Sequence, residues 1–168
     1  MNQDIKIVKT PSGHEYAAKL NQVLGIEGDP FKPDHVFVAY QGGQAIAIAG
    51  LGCAPSYAQV NVPALVMLPL AGALKKPVAK ALFDQAARAA LKTHRALYTV
   101  ADKANIATQG ILMQLGFDPA PLGHVPQGSW MYYHPHLPGY LAREKRKELS
   151  LLSLPALLKQ RGGLALAH

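Results

Sequence analysis

The sequence predicts an α/β fold, a mixed central sheet flanked by helices, and three observations predict it. Two apolar runs, HVFVAY (35–40) and AIAIAGLG (45–52), flank the turn QGG (41–43), which is a hairpin pattern. Two strand-then-helix units follow in succession, first VPALVMLPL (62–70) with a helix from Val78 to about Lys92, then ALYTV (96–100) with a helix from Ala104 to Leu115. A hairpin followed by strand–helix units calls for both antiparallel and parallel pairing in one sheet.

The elements follow in chain order. DIKIVK (4–9) alternates briefly and reads as a first strand. Ser12 can cap a helix running to Leu24, with Glu15 three residues on and Tyr16, Leu20 and Val23 as its apolar face. EGDPFKPD (27–34) holds two prolines and reads as a loop before the hairpin. In VPALVMLPL, Pro63 and Pro69 predict a strand end or an edge, because proline donates nothing to a ladder. AGALKKP (71–77) is a turn, and Pro77 suits the first turn of the alanine-rich helix, whose stripe is Val78, Leu82, Ala86 and Ala89. The helix after ALYTV presents Ala104, Ala107, Ile111 and Leu115 on one side, and Gly116 stops it. DPAPLGHVPQG (118–128) is loop, SWMYYH (129–134) is a last strand, and HPHLPG (134–139) breaks it.

At 168 residues there is room for one domain with a true core, and 49% hydrophobic against 16% charged residues excludes a disordered chain. The formal charge is +7, unevenly spread: 11 Lys and Arg face 8 Asp and Glu over residues 1–134, and 6 face 2 over 135–168. Such an excess attracts phosphates without saying whose. Cys53 is alone, which excludes an intrachain disulfide and fits a reducing compartment. The start MNQDIKIVKT lacks the apolar core of a signal peptide, and VNVPALVMLPLAGAL (60–74) is too short and proline-broken to span a bilayer. A cytoplasmic location, or an intracellular one in a host for a viral protein, is therefore expected, with no membrane partner. No phosphate-loop motif, paired-cysteine zinc pattern or internal repeat is present.

Two parts are expected, a folded domain over 1–134 and a basic, leucine-rich extension over 135–168. A helix from Leu141 to Leu154 would carry a poor apolar stripe. The tail reads as a helix docked on its own domain or as a docking element for a partner protein. Nucleic acid is the weaker reading, since the basic run lacks interleaved aromatics.

From Val36 onward the hairpin, the apolar strand with its turn and helix, ALYTV, and the asparagine-opened helix ending Leu-Gly-Phe (115–117) resemble the GCN5-related N-acetyltransferase superfamily. The resemblance implies an acyl-CoA N-acyltransferase-like fold with acetyl-CoA between the strand ending near Leu70 and ALYTV. It implies that backbone amides near Val66 and Leu68 orient the thioester carbonyl. It places the coenzyme pyrophosphate at the next helix N-terminus, on Val78, Ala79 and Lys80, with Lys75 and Lys76 adding charge. Physics agrees that a helix N-terminus holds anions. Asn105 matches the family asparagine on the helix that passes the acyl end, and on its own chemistry also reads as a helix cap.

Two departures stand out. The family's coenzyme loop runs from Gln or Arg through two variable residues to Gly, one variable residue, and Gly or Ala. Leu74, Lys75, Lys76, Pro77, Val78 and Ala79 occupy those places, and only Ala79 conforms. The tyrosine that often protonates the departing thiolate, four residues before the glycine, is Leu112. Tyr98, Tyr132 or Tyr133 would replace it if one faced the cleft. His35, His94, His124, His134, Asp102 and Glu15 are candidate general bases that no spacing singles out. His134 and His136 lack a third ligand, so no metal is expected. The expected function is acetyl-CoA-dependent N-acyl transfer to an amine. The alternative is a non-catalytic acetyltransferase-like domain kept for structure or protein interaction, as in a phage or other assembly.

Overall fold

The computed structural model describes residues 4–11, 16–24, 31–53, 63–92, 96–120 and 129–150. Its elements are β1 (Ile5–Thr10), α1 (Tyr16–Leu24), β2 (Lys32–Gln41), β3 (Gln44–Cys53), β4 (Ala64–Pro69), α2 (Lys76–Leu91), β5 (Leu97–Asp102), α3 (Ile106–Gln114), β6 (Asp118–Pro119) and β7 (Ser129–His134). A fourth helix, α4, covers 137–150. The strands join in one sheet of order β1-β2-β3-β4-β5-β7-β6. Every pairing is antiparallel except β4 with β5.

The hairpin forms as its sequence dictates. Gly42 and Gly43 both hold positive φ, 60° and 78°, the geometry that a two-residue turn between twisted strands demands. The β2 strand starts earlier than the prolines suggested: Lys32 pairs with Cys53 and Pro33 with Gly52, followed by a register shift at His35. Gly52 permits this, since a Cβ there would collide with the backbone of Lys32, Pro33 and Asp34. The capping residues expected at Ser12 and Glu15 lie outside the described residues.

Alternation divides the sheet into two apolar faces. One carries Val36, Val38, Ile48, Ala64, Val66, Tyr98 and Met131, packed with Phe31 and with Leu20 of α1. The other takes Phe37, Ala39, Ala47, Ala49, Leu51 and Leu65, all buried, beneath α2. Helix α2 buries Val78, Ala79, Leu82, Phe83, Ala86, Ala87 and Ala90, so alanine meets alanine and the helix sits close to the sheet. Burying a side chain such as Phe83 or Leu82 contributes roughly 1.5–3 kcal/mol.

The α3 face differs from the expected one. Ala104 and Ala107 are exposed, while Leu112 and Leu115 are buried. The helix begins later than its pattern suggested, and its burial is set by its C-terminus. There Gly116 takes φ 99°, Gly116 N–H donates to Met113 O at 3.1 Å and Phe117 N–H to Leu112 O at 3.0 Å. That pair of bonds is a Schellman stop, and it folds Phe117 back beside Leu112.

The chain divides into two compact units, Met1–Leu137 and Pro138–His168. The segment HPHLPG ends β7 at His134 as expected, and α4 begins within it, at 137, because proline is tolerated in a first turn. Within the second unit Lys147 pairs with Glu144 at 3.4 Å and Arg146 Nε–H donates to Ala142 O at 3.4 Å. Among the described residues no helix is long and apolar enough to cross a membrane.

Candidate functional site

Strands β4 and β5 run parallel yet share one pairing, Ala64 with Tyr98, closed by Tyr98 N–H donating to Pro63 O at 3.1 Å. Each strand stays in register with its other neighbour, β4 with β3 through Pro69 and β5 with β7 through Asp102. The sheet is therefore split by a wedge that opens toward the C-terminal ends of β4 and β5. Pro69 is tolerated in this central strand because its missing donor faces the wedge. The prolines mark strand ends here, not a sheet edge.

The register assigns the amides of β4. Leu70 N–H donates to Ile46 O at 2.9 Å, and antiparallel alternation then turns the amides of Leu68 and Val66 to Ile48 and Gly50 of β3. Those two expected coenzyme contacts are held in the ladder. The amide that faces the wedge is that of Met67. The sequence names Val66 and Leu68 on this strand, and the parity that turns Met67 instead toward the wedge comes from the β3–β4 register.

Helix α2 starts at the open end. Its N-cap is Lys75, extended at φ −98° and ψ 147°, with no side-chain cap, and proline stands in the first turn. The amides of Lys76 and Val78 are thus uncapped donors, and Ala79 N–H already donates to Lys75 O at 2.9 Å. A cavity of about 130 Å³ lies against this terminus, lined by Gln41, Ile46, Ala47, Pro69, Ala71, Ala73, Leu74, Lys75 and Val78. Lys75 and Lys76 are exposed beside it. Lys80 points along the helix instead, bonding Asp84 at 3.0 Å. Ala79 is wholly buried, so its methyl group packs inward.

Across the wedge, Asn105 is the N-cap of α3, and its Oδ1 accepts from Thr108 N–H at 3.0 Å. Among the described residues its side-chain NH₂ meets no acceptor, so it has two donors for other use. Leu112 is 2% exposed and is a core residue. Tyr98 is 1% exposed at the closed end of the wedge, inside the core cluster, away from where the strands part. Tyr132 is buried, its hydroxyl donates to Gln109 Oε1 at 3.3 Å, and burial raises its pKa above the usual tyrosine value.

The candidate bases separate by position. His35 shares a cross-strand row with Leu51 and Leu65, and His134 pairs with Leu97, so both stand at the closed end. Asp102 ends β5 at the open end, where its Oδ1 accepts from Ala104 N–H at 2.7 Å. His94, His124 and Glu15 lie outside the described residues. Gln109, which links Tyr132 to the β5–α3 turn, carries no sequence signal: it is one glutamine within a helix.

No protein-family model matches the sequence, and no curated protein matches it. The fold, however, is shared by solved acetyltransferases. An N-acetyltransferase from Staphylococcus aureus superposes with a TM-score of 0.55 at 15% identity, covering 80% of this chain and 99% of that one. A mutant form of the spermidine N-acetyltransferase from Vibrio cholerae gives 0.57 at 13% identity, covering 83% and 98%. An IAA acetyltransferase from Bacillus cereus gives 0.53 at 12% identity, covering 77% and 98%. The chain has the fold of the GCN5-related N-acetyltransferases, in a divergent sequence.

Proposed function

We propose that the protein is an acyl-CoA-dependent N-acyltransferase. One observation carries this reading: the single-bridge wedge, which the Met67 amide faces and at whose open end α2 starts uncapped and α3 starts capped by Asn105. The residues present fit the coenzyme. Amides of Lys76 and Val78 and the charges of Lys75 and Lys76 suit a pyrophosphate. The wedge offers main-chain groups to the amide-bearing pantetheine arm, which adds strand-like contacts where β4 and β5 have parted.

The reaction is aminolysis of a thioester. The amine nitrogen forms a bond to the acyl carbon, the carbon–sulfur bond breaks, and the nitrogen's proton passes to solvent. The Met67 N–H donates to the carbonyl oxygen as its negative charge develops. With leucine at 112 and Tyr132 engaged by Gln109, the thiolate takes its proton from water. A thiol is acidic enough to leave this way, at a lower rate than with a positioned donor. That same absence at 112 favours a second reading, in which the coenzyme is bound without turnover.

Titration calorimetry with acetyl-CoA tests the proposal. Micromolar binding that weakens at least tenfold in the Lys75→Glu/Lys76→Glu double variant, with unchanged thermal stability, supports it. No heat of binding at several hundred micromolar would overturn it. Binding without release of free thiol in the presence of a panel of amines would select the second reading.

A further inference from the structure

We infer that Gln109 is a positioning residue that fixes the β5 side of the wedge, an inference that rests on the acyl-CoA reading. Beyond Tyr98, β5 has lost β4, so the segment Val100–Asp102 has a ladder on one side only, with Met131, Trp130 and Ser129. Those partners are the first residues of β7. On its other side β7 meets only the short β6, after which Ala120 N–H donates to Met131 O at 2.9 Å, so among the described residues Trp130 and Ser129 have β5 alone as a strand partner. Strand ends held on one side open readily, because each terminal bond orders residues for little return.

The side chain of Gln109 ties these ends together. Its Nε2 donates to Asp102 O at 2.8 Å and to Lys103 O at 3.0 Å, and its Oε1 accepts from the Tyr132 hydroxyl at 3.3 Å. Asp102 O also accepts from Asn105 N–H at 3.0 Å, so one carbonyl receives both the backbone and the side-chain donor. Tyr132 faces Thr99 across the β5–β7 ladder, one pair inside Val100 and Met131. One amide group thus spans the turn, the start of α3 and an inner residue of β7. It spends both hydrogens and one oxygen lone pair, so both of its donors are committed to holding the turn. The width of the wedge at Met67 is then set by Gln109 acting through β5.

Three variants test this: Gln109→Met, Gln109→Glu and Tyr132→Phe, with the double variant Gln109→Met/Tyr132→Phe. The probe is coenzyme A itself, titrated by calorimetry, alongside amide hydrogen exchange of residues 100–105 in the free protein. Each single variant should weaken coenzyme A about five- to tenfold, the loss expected for a misplaced contact surface. The double variant should be no worse than Gln109→Met, because the two groups act as one unit. Exchange at 100–105 should quicken while that at 97–99 does not, a local readout that general destabilisation would not give. Unchanged coenzyme affinity in all three variants, with a binding wild type, overturns the positioning role alone. A wild type that binds no coenzyme A overturns the acyl-CoA reading and this inference with it.

Discussion

His134 Nε2 lies 3.1 Å from the carbonyl oxygen of Leu115, in a buried contact between the last strand and the end of α3. A carbonyl only accepts, so the imidazole donates there and its Nε2 carries the hydrogen. The ring is packed at 5.3 Å from Phe83 and 5.2 Å from Phe117, edge-on to the latter. One side chain therefore joins α2, α3 and β7. His134→Ala should lower stability by about 3 kcal/mol, from the lost ring contacts and the stranded carbonyl. Urea unfolding checks it, and a change below about 1 kcal/mol would contradict the packing.

The same contact makes Gly116 irreplaceable on two counts. Its φ of 99° disfavours any side chain, and a Cβ there would stand 2.8 Å from His134 Nε2. Gly116→Ala should cost about 2 kcal/mol or more, beyond the roughly 1 kcal/mol of backbone strain alone. Measured in the His134→Ala background the cost should shrink toward that strain, which a double-mutant cycle would show.

Much of this architecture is legible in the sequence, for physical reasons that differ by element. The Gln-Gly-Gly turn and the Leu-Gly-Phe stop are local: positive φ is written in the glycines themselves, at Gly42, Gly43 and Gly116. The start of β2 was hidden because Pro33 and Asp34 carry loop chemistry, and only Gly52, nineteen residues from Pro33, makes room for them in the sheet. The buried side of α3 was misread because nine helical residues give too few turns for a period, and Phe117 beyond the helix decides which side faces inward. The resemblance points to the gap between β4 and β5, while the parity that turns the Met67 amide toward it, and those of Val66 and Leu68 into the ladder, needs a pairing register.

His35 supplies a pH dependence. Its Nδ1 is buried with no hydrogen-bond partner among the described residues. Burial, then Lys9 and more weakly Lys92, hold its pKa below the ordinary 6.5, against an opposing pull from Asp34. A folded pKa below the unfolded one means the unfolded chain takes the proton first. The stability His35 confers as a neutral ring is fully present above about 6.5 and is lost as pH falls through the lower folded pKa. Unfolding midpoints for wild type and His35→Gln should converge as pH drops from 7.5 to 5. Curves that stay parallel would remove His35 as the cause.

Asn105 separates capping from catalysis. Asn105→Ala should cost about 1 kcal/mol, the usual value of a lost N-cap, and Asn105→Asp should restore it because Oδ1 is the cap acceptor. If the amide NH₂ also holds the pantetheine arm, Asn105→Asp will be stable and still bind coenzyme A more weakly. Full binding in Asn105→Asp would confine the residue to its cap.

The amide of Met67 can be deleted without touching its neighbours. Proline at 67 removes one N–H, and the register turns that N–H toward the wedge and away from β3. Proline at 68 removes an N–H that bonds Ile48 in the ladder, in the middle of the sheet. Met67→Pro should therefore fold and bind coenzyme A while its acyl transfer falls by about 10²–10³-fold, the usual loss for one oxyanion donor. Leu68→Pro should lose the fold. Circular dichroism melting curves and thiol release measured on the same two preparations decide it: unfolding of Met67→Pro comparable to Leu68→Pro would show that the Met67 amide belongs to the ladder, and undiminished turnover would remove it from the chemistry.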